Sequence, residues 1–104
     1  MKKCKITAIR ITEYKDLMDE YEIPQEIPCT IKQGDVFISE DGKIPPGFCS
    51  VAWDTIKPFV HQLLYANERV YGNWMKNPKS AMISCNDGFR PVSFLLEALD
   101  EDAE

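Results

Sequence analysis

Trp53, Ile56, Val60, Leu63 and Leu64 recur at helical spacing, so residues 51 to 66 are expected to form the principal helix of this chain. Ser50 is the expected N-cap, and Pro58 is expected to kink the segment or restart it near Lys57, because proline cannot donate a backbone hydrogen bond. The segments around the helix carry the other periodicity. Residues 3 to 12 alternate polar and apolar with many β-branched side chains, placing Cys4, Ile6 and Ala8 on one face of a first strand before the alternation shifts at Ile9. Val36 to Ser39 reads as a compact strand between the turn chemistry of Lys32-Gln33-Gly34-Asp35 and Glu40-Asp41-Gly42. Ser80 to Cys85 and Phe89 to Leu99 read as two more strands. Asn86-Asp87-Gly88 between them supplies residues that tolerate the positive φ of a tight hairpin, and Pro91 marks an edge or a bulge. Tyr14 to Tyr21 is expected to form a short helical turn, and Pro24 and Pro28 to hold the next stretch extended. Asn67 to Lys79 is expected to be a loop anchored by one aromatic, Trp74. The expected fold class is therefore α+β, a mainly antiparallel sheet of four or five strands packed on one main helix.

With 104 residues there is enough chain for one domain, expected over residues 1–99 with an acidic tail at 100–104, and a core that needs neither disulfides nor a structural metal. The net charge of −5 comes largely from the five acids of Glu97 to Glu104; without them twelve acids face twelve bases. No basic stripe is present, so nucleic-acid binding is not expected. Lys2, Lys3, Lys5 and Arg10 precede no apolar stretch of signal or membrane-spanning character, so a cytoplasmic location without membrane association is expected, with reduced thiols.

Three of the four cysteines lie in glycine-marked, loop-like segments: Cys29 ahead of Lys32-Gln33-Gly34, Cys49 in Gly47-Phe48-Cys49-Ser50, and Cys85 in Cys85-Asn86-Asp87-Gly88. None belongs to a Cys-x-x-Cys pair, so spacing alone argues only weakly for a metal, and burial as small hydrophobes is the competing reading. The functional reading brings Cys29, Cys49 and Cys85 to one end of the sheet as ligands of zinc or iron, or as a redox thiol, with His61 a fourth ligand or base, although a lone histidine beside an apolar helical face is more often exposed or a satisfied core group. Cys49 has the best local setting, because the amides at a helix N-terminus favour a thiolate. Asp87 and Arg90 read either as a self-bonded turn with Arg90 paired locally, or as a clamp in which Arg90 holds a small anionic ligand beside Cys85. Glycine-rich phosphate loops, Gly-x-Ser-x-Gly elbows and paired-histidine metalloprotease helices are absent from the sequence.

Gly34-Asp35-Val36-Phe37, Gly47-Phe48-Cys49-Ser50-Val51-Ala52-Trp53, Trp74-Met75 and Cys85-Asn86-Asp87-Gly88-Phe89-Arg90-Pro91-Val92 together resemble a family of small uncharacterised prokaryotic proteins common in anaerobes. The resemblance brings no established activity. It implies that Cys29, Cys49, Cys85, Asp87, Gly88, Arg90 and Pro91 fall on motif positions, that Cys4 is incidental, and that Ser84 stands where many members carry a second cysteine. The first expectation is a small thiol-dependent binding protein. The second is a homodimeric, non-enzymatic interaction module using the aromatic helix and the 67–79 loop; an enzyme with Cys49 or Cys85 as nucleophile ranks last, because His61 is its only evident base.

Overall fold

The structure, a computed structural model, describes residues 2–24, 30–66 and 69–99. Four strands form one antiparallel sheet in the order β2-β1-β4-β3, where β1 is Lys3–Ile11, β2 Val36–Glu40, β3 Ser80–Ser84 and β4 Val92–Leu99. The fold is α+β, and one main helix, α2 (Ser50–His61), covers one face of the sheet.

β1 buries Cys4, Ile6 and Ala8, every second residue, until the register with β4 shifts between Ala8 and Arg10. The change of alternation at Ile9 and this β-bulge coincide, since one extra residue moves all later side chains to the other face. The inner faces of β1 and β4 meet Ala52, Trp53, Ile56, Val60 and Leu64 of the helical layer in one core. Phe48 is an aromatic hub of that core, with ring centroids 4.9 Å from Phe37, 5.3 Å from Phe94 and 6.1 Å from Trp53.

Cys49, not Ser50, is the N-cap of α2; it is extended (φ −65°, ψ 121°) and its side chain makes no capping bond. The helix runs through Pro58 without restarting. It loosens one turn later instead: the Gln62 amide donates to both the Pro58 and Phe59 carbonyls, and Gln62–Ala66 continues as a π-turn. Lys2 secures this end, its Nζ donating to the Leu64 carbonyl at 2.8 Å and lying 5.4 Å from the centre of the Tyr65 ring.

Three other expectations are corrected. Residues 85–91 join β3 to β4 with no positive φ at Asn86, Asp87 or Gly88; Asp87 Oδ1 instead accepts the amides of Phe89 (2.8 Å) and Arg90 (3.0 Å). A carboxylate that shapes the loop from within removes the need for a two-residue turn. Of the edge or bulge expected at Pro91, the edge is absent, since β4 is an inner strand. A register shift does lie nearby, with its extra residue on β1 between Ala8 and Arg10, opposite Phe94 and Ser93, and Pro91 itself is tolerated because it lies just before β4. Trp74 is 79% exposed, stacked on Tyr71 at 4.9 Å and not anchored in the core.

The short helix α1 (Lys15–Tyr21) buries no residue. It is tied down at its ends, by the Tyr14 amide donating to the Phe89 carbonyl (2.9 Å) and by Glu22.

Candidate functional site

A pocket of ≈ 520 Å³ opens where the N-terminus of α2 faces the β3–β4 connection. Cys49, Ser50, Val51 and Ala52 line one side, and Cys85, Asn86, Asp87 and Arg90 the other. Val92 and Phe94 of β4 contribute to the lining together with Thr30 and Ile31, which precede β2. The topology accounts for this convergence. β4 is one of the two inner strands, so the connection that enters it from β3 sits at the strand ends beside the core, and the common lining shows that the start of α2 lies against it.

Cys49 and Cys85 are thiols, both half-buried. The Cys85 amide donates to the Val92 carbonyl at 3.0 Å, and its Sγ accepts the Val92 amide at 3.3 Å, fixing the sulfur at the mouth of the hairpin. Ser84 is exposed and donates to the Cys85 carbonyl at 2.9 Å. Cys29 lies outside the described residues; Thr30, which follows it in sequence, lines the pocket.

Arg90 is not the free anion clamp of the sharper expectation, nor is its side chain paired to Asp87. Its guanidinium donates from both terminal nitrogens to the Glu22 carboxylate, at 3.0 Å and 2.8 Å, across a sequence separation of 68 residues. These hydrogen bonds hold the Arg90 pKa above its ordinary value. A planar fork matched to a carboxylate is a geometrically specific pair, and an anion entering the pocket would have to displace Glu22 to gain it. The pair fastens the end of α1 to the pocket wall, and nothing local in the sequence marked Glu22 as the partner.

His61 is not among the lining residues. Its Nε2 lies 2.9 Å from the Gly42 carbonyl, a bond that requires the proton on Nε2, and its ring meets Tyr65 edge-on at 5.8 Å. Among the described residues no three histidine, cysteine, aspartate or glutamate side chains are grouped as a metal site. Cys49 and Cys85 alone would give half of a tetrahedral zinc shell, so the described residues do not by themselves fit zinc or iron.

Cys4 is chemically set apart from the pocket thiols. It is fully buried in β1, and burial pushes its pKa from 9.0 up to about 12. Because the folded value lies above the unfolded one, its contribution to stability is complete below pH 9 and is lost as pH rises toward 12. Wild-type protein is therefore expected to lose stability over that window relative to Cys4→Ala, by up to about 1.4 kcal/mol per pH unit. Urea titrations of both proteins at pH 8, 9, 10 and 11 check this, and parallel curves would contradict it.

No helix among the described residues is long and apolar enough to cross a membrane. Compared with protein-family models, curated proteins and solved structures, the chain matches none of them.

Proposed function

We propose that this protein is a small thiol-dependent binding protein, in which Cys49 and Cys85 act together on one ligand held between the start of α2 and the β3–β4 connection. The observation that carries the reading is the shared pocket: two half-buried thiols, distant in sequence, line the same ≈ 520 Å³ space, while the third described cysteine is sealed in the core. That volume suits a small molecule, and a mainly apolar lining with a few placed polar groups is the usual character of such a site. A soft metal is the alternative ligand, for which Cys29, outside the described residues, is a further cysteine beside Cys49, Cys85 and the core-buried Cys4. An enzymatic role draws less support, because His61, the sole histidine, is engaged by Gly42 away from the pocket.

The test is elemental and mass analysis of protein purified without oxygen or chelator, alongside Cys49→Ser and Cys85→Ser. About one zinc or iron per chain, lost in both variants, identifies a metal ligand. A small molecule carried by wild type and by neither variant identifies an organic one. Retention of the bound species in both variants, or thiols silent until unfolding, overturns the proposal.

A second reading, an interaction module, is favoured by one observation. Phe59, Tyr71 and Trp74 form a ladder of rings at 5.5 Å and 4.9 Å that ends in the exposed Trp74 indole. A stacked, solvent-facing aromatic run is the composition of many interface anchors.

A further inference from the structure

β2 is an edge strand of the sheet formed by the described residues, and its only charge is Glu40, at its last position. Its outer-face side chains are Val36, Ile38 and Glu40, with Val36 52% and Ile38 37% exposed. Edge strands are ordinarily blunted by lysine, proline or a bulge, and Val36-Phe37-Ile38 has none of these. The pairing pattern shows which backbone groups are left over. Ala8 and the 34–35 turn exchange bonds, with the Ala8 amide donating to the Asp35 carbonyl at 2.8 Å and the Gly34 amide to the Ala8 carbonyl at 2.7 Å. Residues 35, 37 and 39 thus face β1, and in an antiparallel ladder Val36 and Ile38 turn their amides and carbonyls outward. Among the described residues neither has a backbone partner on that side.

We propose that β2 pairs antiparallel with β2 of a second copy, across a two-fold axis at Phe37. This register sets Val36 against Ile38 of the partner and Ile38 against Val36, so the free amides and carbonyls of both residues are used on both chains. The strand is self-complementary in the sense a two-fold contact requires. Charge agrees with that register: Glu40 falls opposite Gly34 and Asp35 opposite Ser39, so no like charges meet. The side chains agree as well, because four exposed β-branched groups cover one another on the outer face. Beside them the row Val36, Thr7, Leu95, Met82 crosses all four strands of that face. Pairing at β2 joins the two sheets into one of eight strands, in which each such row runs on into the second copy's Ile38, Lys5, Glu97 and Ser80, so the apolar contact is concentrated at Val36 and Ile38 on the seam. β3, the other edge, is less suited, because the Ser80 amide and hydroxyl are already taken by the Asn77 carbonyl.

The experiment is analytical ultracentrifugation of wild type, Ile38→Lys, Met82→Lys and Trp74→Ala, with residue-resolved hydrogen exchange of wild type at low and high concentration. The expected result is a dimer weakened at least tenfold by Ile38→Lys and unchanged by the other two, with Val36 and Ile38 amides protected only at high concentration. A monomer at all concentrations overturns the proposal. So does a dimer lost in Trp74→Ala, which would place the contact on the aromatic ladder, or in Met82→Lys, which would place it on β3. The exchange measurement decides even if Ile38→Lys fails to fold, and none of these outcomes bears on the thiol pocket.

Discussion

Replacing Phe94 with alanine is expected to lower the stability of the fold by about 3–5 kcal/mol, the largest effect of any single truncation considered. Phe94 has no exposed surface and sits on β4, which pairs on both sides and so cannot shift to fill a void. Its ring is tilted against Phe48 at 5.3 Å, and Phe48 in turn braces Phe37 and Trp53. Truncation therefore removes burial and leaves a cavity bordered by rings that are already held by one another. A domain of this size holds about 5–15 kcal/mol in total, so the variant would be marginal, with a melting temperature lower by about 15–30 °C. Phe94 also lines the pocket, so the same change should alter the pocket's shape and, on the proposed reading, its ligand binding. Thermal and urea unfolding check the size of the loss, and a cost below about 1 kcal/mol would mean that the core closes over the gap.

The second large effect is expected at Gly42. Its φ is +75°, and a Cβ there would lie 2.6 Å from His61 Nε2, the atom that bonds the Gly42 carbonyl. Gly42→Ala thus incurs left-handed backbone strain of about 1–2 kcal/mol. It also displaces the imidazole from a hydrogen bond contributing about 0.5–1.5 kcal/mol. Together a loss of about 2–3 kcal/mol is expected. A double-mutant cycle separates the parts: in a His61→Ala background Gly42→Ala should cost only the backbone share. Equal costs in both backgrounds would remove His61 from the account.

That contact also shows what a sequence can and cannot display. His61 at the edge of an apolar helical face is more often a satisfied side chain than a ligand or base, and here it is satisfied, but its partner is Gly42, a turn residue that only the return of the chain after β2 brings beneath it. The regular parts were readable because their cause is local. Cys4, Ile6 and Ala8 follow the period of a strand, and Trp53, Ile56 and Val60 follow the period of a helix, and each set is buried. The helix starts one residue earlier than the serine signal indicates: Cys49 takes the N-cap directly after the Pro45–Phe48 turn, and Ser50 is the first helical residue. The positive φ expected at Asn86 to Gly88 failed because the Asp87 carboxylate satisfies that loop directly.

The site was legible in part. Glycine-marked segments pointed to Cys49 and Cys85, and both line one pocket. Glu22 was not legible, because an ion pair spanning 68 positions leaves no periodic or local trace. Trp74 was misjudged for the opposite reason: an isolated tryptophan in a polar segment suggests an anchor, whereas its partner is Tyr71, itself half-exposed in left-handed backbone (φ 56°).

Cysteine-resolved labelling of the folded protein tests most directly whether Cys49 and Cys85 serve one site. Modification with a bulky maleimide, followed by peptide mass analysis over time, gives a separate rate for each thiol. The expected result is that Cys49 and Cys85 react before unfolding and Cys4 does not, and that modifying either pocket thiol slows the other at least tenfold, because the adduct fills the space they share. Independent rates at Cys49 and Cys85, each unaffected by an adduct on the other, would contradict a common site.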